Sequence, residues 1–356
     1  MDPVRLLLIS TTAVLSLMLL IEWNQYSDEY QKQQSELYTA AITEPGLVTN
    51  ESVTVPTSQG INDGIPSVNQ ETNPLSLLLD DSETFNLATD ALDLVVSADG
   101  GDVVSASLPK FPVRLDTPDQ PFRLLENNNL RRYVAQSGLI GPDGIDASGN
   151  RARYASQGVT NNGDGSHTLT LAWTGNDPLG MQVYKRFTAQ DDRYDVDVSF
   201  DIRNGGSAVA SVTSFAQLKR DNTQAPDGNT GFGVSPYLGA ALTQPDERYT
   251  KLSFSDLSDE PFSKRLPAGW VAILQHYFVS AWIPSQKASH DYFASQLSNG
   301  DNVIGFKNQN IDIAPGAATI ITQTLYVGPK DQIALAELAE NLDLVIDYGW
   351  LWWLAQ

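Results

Sequence analysis

The pattern of apolar and polar positions changes character four times along the chain. From Leu6 to Ile21 sixteen residues run without a charge, closed by Glu22 and Trp23 and preceded by Arg5. At 1.5 Å per residue such a run spans roughly 24 Å as a helix, and Val4 and Trp23 lengthen it toward the ~30 Å of a bilayer core. From residue 24 to 82 the apolar residues are scattered without period. From about Glu83 the period becomes two: in YDVDVSFDIRNGG, Val196, Val198, Phe200 and Ile202 point one way and Asp195, Asp197, Ser199 and Asp201 the other, which predicts a half-buried strand. ALDLVVSADGGDVVSASL places Gly100 and Gly101 between two β-branched runs, and NNGDGSHTLTLAW sets a glycine turn before another alternating strand. Both predict hairpins. Helical periodicity is nearly absent from 83 to 328. It returns after Gly328 and Pro329, where Leu335, Leu338, Leu342 and Val345 are spaced by three, four and three, the stripe of an amphipathic helix. The final residues, Tyr348, Trp350, Leu351, Trp352, Trp353 and Leu354, are an aromatic run that reads either as packing on its own domain or as a membrane-interface segment.

These patterns divide the chain into an apolar segment (1–23), a linker (24–82), a body (83–330), a helix (331–347) and an aromatic stump (348–356). The first segment reads as a signal peptide or an anchor. EWNQYSDEY follows it without the small-residue pair of a cleavage site, which favours an uncleaved transmembrane anchor. Arg5 precedes the run and acidic residues follow it, so the amino end is expected in the cytoplasm and the body on the far side. Many short strands punctuated by glycine turns predict a mainly β fold, an antiparallel β-sandwich closed by the late helix.

Charge and composition narrow the function classes. The 356 residues carry 43 acids and 22 bases, a net charge of -21, which disfavours nucleic acid as a partner. Residues 24–82 hold nine of the acids and a single base, Lys32, and are rich in Gln, Ser, Thr, Asn and Pro. Such a stretch cannot bury enough surface to offset its ordering entropy and reads as a flexible tether. With no cysteine, disulfides, thiolate metal sites and cysteine nucleophiles are excluded.

Candidate chemistry is sparse. The three histidines, His167, His276 and His290, fall at no metal-binding spacing, so no metal site is expected. His276 lies in the apolar run WVAILQHYFVSAWI and reads as a hydrogen-bonded core residue, whereas His167, after a turn, and His290, among polar residues, read as solvated. Acid pairs such as Asp191-Asp192 and Asp259-Glu260 are expected by chance in so acidic a chain. No GxSxG, phosphate-binding glycine loop or dinucleotide fingerprint is present, so no catalytic residue and no cofactor is assigned.

Four stretches carry a resemblance to a known family. FPVRLDTPDQPFRLLEN (111–127), YLGAALTQPDERYTKLSFSD (237–256), GWVAILQHYFVSAWIP (269–284) and LDLVIDYGWLWWLAQ (342–356) are similar, in the same order, to segments of the YidC family of bacterial inner-membrane protein insertases. The resemblance implies that the body is the family's large periplasmic domain, a mutarotase-like β-supersandwich with a terminal helix, and that residues 1–23 are the first membrane helix. It implies nascent inner-membrane proteins, the bilayer and the Sec components SecD and SecF as partners. The family's activity resides in further membrane helices that form a groove, and no residue of this chain matches the groove's charged position. Two other readings remain. One is an anchored binding module for a glycan, peptide or unfolded chain, with Trp270, Tyr277 and Trp282 as an aromatic platform; the other, an epimerase inherited with the fold, finds little support in three scattered histidines.

Overall fold

Period-two sequence becomes a two-sheet antiparallel sandwich because each strand has one apolar face to cover. The computed structural model describes residues 83–114, 116–146, 151–175, 180–223 and 237–346. The expected anchor, tether and aromatic stump lie outside those residues. No helix among the described residues is long and apolar enough to cross a membrane.

Strands are numbered β1 to β19 in chain order, and all their pairings are antiparallel. One sheet runs β1 (Thr84–Ala88), β2 (Asp93–Ser97), β3 (Val103–Pro112), β4 (Pro121–Asn127), β5 (Arg132–Ile140), β10 (Ala210–Arg220), β17 (Asn302–Lys307), β16 (Ser289–Gln296) and β13 (Phe262–Pro267). Strand β18 (Ile311–Ile313) pairs with β10 beside that path. The other sheet runs β12 (Thr250–Leu252), β11 (Gly239–Leu242), β14 (Val271–Leu274), β15 (Phe278–Ile283), β19 (Ala318–Pro329), β9 (Asp195–Asn204), β8 (Met181–Gln190), β7 (Ser166–Trp173) and β6 (Tyr154–Asn161). Their facing sides form the main core, with Leu94, Val96, Leu124, Ala216 and Leu218 from the first sheet and Val196, Val198, Ile273, Trp282 and Leu325 from the second.

Strand β9 behaves as its alternation predicts: Val196, Val198, Phe200 and Ile202 are fully buried. On its other face Asp201 is buried as well, because Arg186 (3.1 Å) and Arg203 (3.5 Å) close over it. Both predicted hairpins form, β2 with β3 and β6 with β7. In the first, Gly100 and Gly101 take positive φ of 75° and 58°, a backbone that costs a residue with a Cβ about 1–2 kcal/mol. The space forbids a side chain too, since a Cβ on Gly101 would lie 2.9 Å from Lys185 Cδ.

The C-terminal stripe forms in two pieces instead of the single helix expected over 331–347. Helix α1 (Gln332–Leu338) starts at Asp331, whose carboxylate accepts from the N–H groups of Ile333 (2.9 Å) and Ala334 (3.0 Å). It ends at Ala339, which is extended; Asn341 then takes left-handed φ of 63°, and a 3-10 turn covers Leu342–Val345. The buried indole of Trp270 donates to the Glu340 carbonyl (3.1 Å), an acceptor that a continuing helix would need for its own ladder. Leu335, Leu342 and Val345 still face the sheet, packing with Trp270, Leu274, Val279 and Tyr326 in a second core on the outer side of β14 and β15. Burial worth roughly 1.5–3 kcal/mol per large side chain stabilises pieces far too short to be helical alone.

Candidate functional site

The residues singled out in the sequence do not converge. His276 occupies the turn between β14 and β15, half-buried, its ring stacked on Tyr277 at 3.9 Å. It was expected in the core, but the apolar run around it is two strands and a turn, and a turn of Gln275, His276 and Tyr277 carries no glycine or proline to announce it. His290 corrects the opposite expectation. It is 2% exposed, its Nε2 lies 2.8 Å from the Ser285 carbonyl, and Tyr292 and Phe306 pack edge-on to its ring. Its polar neighbours Ser289 and Asp291 belong to the opposite face of β16, while His290 shares the inner face with the core residues Tyr292 and Ala294. His167 is half-buried on β7, 3.4 Å from Asp191, rather than freely solvated. Among the described residues no group of three His, Cys, Asp or Glu is placed to hold a metal ion.

The aromatic platform is not assembled either. Trp270 and Trp282 are fully buried, and the Trp282 indole donates to the Gln217 carbonyl of the opposite sheet at 3.1 Å. Only Tyr277 is exposed, at 59%. Of the acid pairs, Asp192 joins a surface cluster: it pairs with Lys110, which also reaches Asp90 at 3.2 Å, and its N–H donates to Asp90 at 2.7 Å. That backbone donor and the Lys110 cation hold the Asp90 carboxyl below its usual range. Asp259 and Glu260 are exposed after the short 3-10 turn Asp256–Ser258.

The structure instead assembles an ionic cluster inside the sandwich. Beyond Ala135, β5 has no strand partner on the side of β3 and β4, so backbone groups of Ser137 and Leu139 face a gap in the sheet. Side chains fill it. Lys185, fully buried in the middle of β8, donates from Nζ to the carbonyls of Gly100 (2.9 Å) and Ser137 (2.8 Å). Arg151 donates to Ser137 O (3.0 Å), to Asp146 Oδ1 (2.9 Å) and to Asp102. Asp146 accepts from the N–H of Leu139 (2.9 Å) and of Ala152 (3.0 Å), and its own N–H donates to Leu139 O (2.8 Å). Asp102 also accepts from Gln136 Nε2 (2.7 Å), whose oxygen accepts from Gln217 Nε2 (2.9 Å). Burial opposes the Arg151 charge, yet Asp102 and Asp146 outweigh it and hold the guanidinium above its ordinary value. Burial brings Lys185 down from 10.5 to about 7, with Arg151 adding to the fall and the two carboxylates resisting it. The sequence carries one signal of this cluster: Lys185 stands in the inward register of Met181, Val183, Phe187 and Ala189.

A second polar group closes one end of the sandwich. Arg220 and Arg131 lie 4.8 and 5.8 Å from the ring centre of buried Tyr133, and the Gln275 side-chain oxygen accepts from Arg220 (2.7 Å) and Arg131 (3.2 Å). Burial pushes the Tyr133 hydroxyl above its usual value. Both clusters join strands of the two sheets. Outside them, Ile333 (75%), Ile320 (65%) and Leu130 (62%) join Tyr277 as apolar groups presented to solvent.

Comparison with known proteins supplies what the residues do not. The family model described as the YidC periplasmic domain matches residues 84–356. The chain is 37% identical over 366 residues to the "Membrane protein insertase YidC" of Marinomonas sp. (strain MWYL1), covering all of this chain and 64% of that protein. It is 37% identical over 364 residues to the protein of the same name from Pseudomonas entomophila (strain L48), again covering 64% of it. The chain thus spans just under two thirds of the length of these curated relatives. Among solved structures, a galactose mutarotase related enzyme from Lactobacillus acidophilus aligns with 69% of this chain and 97% of its own, at a TM-score of 0.47 and 11% identity.

Proposed function

The chain belongs to the YidC family of membrane protein insertases and carries that family's periplasmic domain, and from that premise we propose that its sandwich works outside the cytoplasmic membrane as the periplasmic part of an insertase that helps inner-membrane proteins insert, fold and assemble, alone or beside the Sec translocon. The observation that carries this reading is the family match over 84–356, joined to identity that runs through the whole chain. In this reading residues 1–23 anchor the chain with its amino end in the cytoplasm, residues 24–82 tether the sandwich, and the bilayer, nascent membrane proteins, SecD and SecF are its partners. The role is that of a chaperone and scaffold and involves no chemical step on a substrate. In this reading the sandwich itself does not form the family's insertase groove. Burial of Trp270 and Trp282 leaves the sugar-binding reading without the exposed platform it would use.

Two experiments test it. A photo-crosslinking residue placed at Ile320, Ile333, Tyr277 or Leu130 in cells is expected to give adducts with SecD, SecF or a membrane protein arrested during insertion; no such adduct from any of the four positions would remove the proposed partners. In cells depleted of a full-length insertase of this family, the 356-residue chain alone is expected not to restore membrane insertion. Restoration would place the activity inside this chain.

A further inference from the structure

We propose that Lys185 and the Gly100–Asp102 turn form a proton-sensitive latch between the two sheets, closed while the amine is uncharged and loosened when it takes up a proton. The inference does not depend on the functional reading above. It begins with where the lysine's hydrogen bonds go. A neutral amine has two N–H groups, and Lys185 makes two hydrogen bonds, to Gly100 O and Ser137 O. Neither acceptor is a carboxylate. The third proton of an ammonium group would enter a wall formed by Phe187 and Phe200, whose ring centres lie 5.4 and 5.2 Å from Nζ. Aromatic faces attract a cation but replace little of its lost hydration.

The surrounding charges belong to another group. Asp102, at the end of the β2–β3 turn, and Asp146, in the segment after β5, are both hydrogen-bonded by Arg151, which lies just before β6. Their other oxygens accept from Gln136 Nε2 and Leu139 N–H, and the Asp146 oxygen that Arg151 binds also accepts from Ala152 N–H. Buried Tyr154 of β6 faces the same three ions, and burial followed by Asp146 raises its hydroxyl well above the ordinary range, so it stays neutral. The carboxylates therefore draw Lys185 toward the charged form through space only, while burial and Arg151 oppose it.

The turn is the part that must respond. Gly101 has no room for a Cβ against Lys185 Cδ, and the Gly100 carbonyl is one of the two groups holding the amine. Lys185 belongs to the nine-stranded sheet, whereas the turn and Ser137 belong to the other. Protonation calls for hydration, and in the proposed latch it is the turn that lifts to admit water to Nζ.

The test uses the full 356-residue chain with 13Cε- and 15Nζ-labelled lysine, titrated by NMR. One lysine is expected to change from ammonium to amine with a midpoint about 7. Every lysine remaining charged through pH 9 would overturn the proposal. Hydrogen exchange at the N–H of Gly100, Leu139 and Ala152, corrected for intrinsic rate, is expected to slow by up to about tenfold per pH unit as the pH rises above the midpoint and to level off below it. Lys185→Met should abolish that dependence and Lys185→Arg should leave the turn open throughout. Protection in the unaltered chain that does not vary between pH 6 and 9 is the second outcome that sinks the latch, whether or not the variants fold.

Discussion

At the scale of single residues, Lys185 dominates the electrostatics of the interior. In the unfolded chain a lysine keeps its proton until about 10.5, whereas the folded state releases it near 7. Between those values the unfolded state binds more protons, so stability climbs as pH rises, by at most ~1.4 kcal/mol per unit for one group. Below 7 both states are charged and the burial cost is fully present. Denaturant unfolding followed from pH 7 to pH 9 is expected to show this rise, and Lys185→Met to flatten it. The methionine variant should fold, because Arg151 also donates to Ser137 O (3.0 Å) and Gly100 O (3.3 Å) and keeps both carbonyls satisfied. A different outcome is expected for Asp146→Ala. It strips Arg151 of a partner and leaves Leu139 N–H facing the sheet gap, so the loss should be about 3–5 kcal/mol by denaturant unfolding, the range for breaking a buried pair. At this scale the sequence was least legible. His290 is buried where it was expected in solvent and His276 is only half-buried where it was expected in the core, because the immediate neighbours that suggested exposure or burial lie on the opposite face of a strand or across a turn. A lysine inside an apolar register was visible, but its partners Gly100, Ser137 and Arg151 come together only through pairing between distant segments.

Elements were far easier to read, since alternation and glycine turns are local. The strand through Val196, Val198, Phe200 and Ile202 and the hairpin at Gly100 and Gly101 follow from sequence alone. The apolar stripe Leu335, Leu338, Leu342 and Val345 was equally visible, and its spacing correctly marks the face turned to the sheet. What the spacing cannot show is the interruption at Ala339–Asn341, which depends on Trp270, some seventy residues away in sequence, capturing the Glu340 carbonyl. Two substitutions separate local from tertiary contributions. Asp331→Ala removes the acceptor for Ile333 and Ala334 N–H and should cost about 1 kcal/mol. Leu342→Ala empties a fully buried position in the second core and should cost about 2–5 kcal/mol. Differential unfolding of the two variants checks the order; an equal or larger loss for Asp331→Ala would mean that capping, rather than packing, holds the C-terminal pieces.

For the whole molecule, fold class and family were both readable before any coordinates, the first from period-two patterning and the second from four similar stretches in order. Neither depends on the details that misled at residue scale, because a sandwich needs only that each strand present one apolar face. The same coarse view yields a prediction about charge. A net charge of -21 repels itself in the compact state, and -8 of it is carried by residues 24–82, which precede the body in sequence. Opposing this are surface ion pairs such as Arg114 with Asp116 and Arg265 with Asp291, each exposed to water and weakened by salt. The buried Arg151 cluster is little affected, since salt screens mainly what water reaches. Between 10 and 150 mM salt the screening length contracts from about 30 to about 8 Å, which suppresses repulsion across the surface while leaving contacts at 3–4 Å partly intact. Repulsion acts over many pairs at long range and the attractive pairs are few and short, so the melting temperature should rise by a few degrees over that interval. A thermal scan in which it falls would show that the surface ion pairs, despite their exposure, stabilise this sandwich more than its net charge destabilises it.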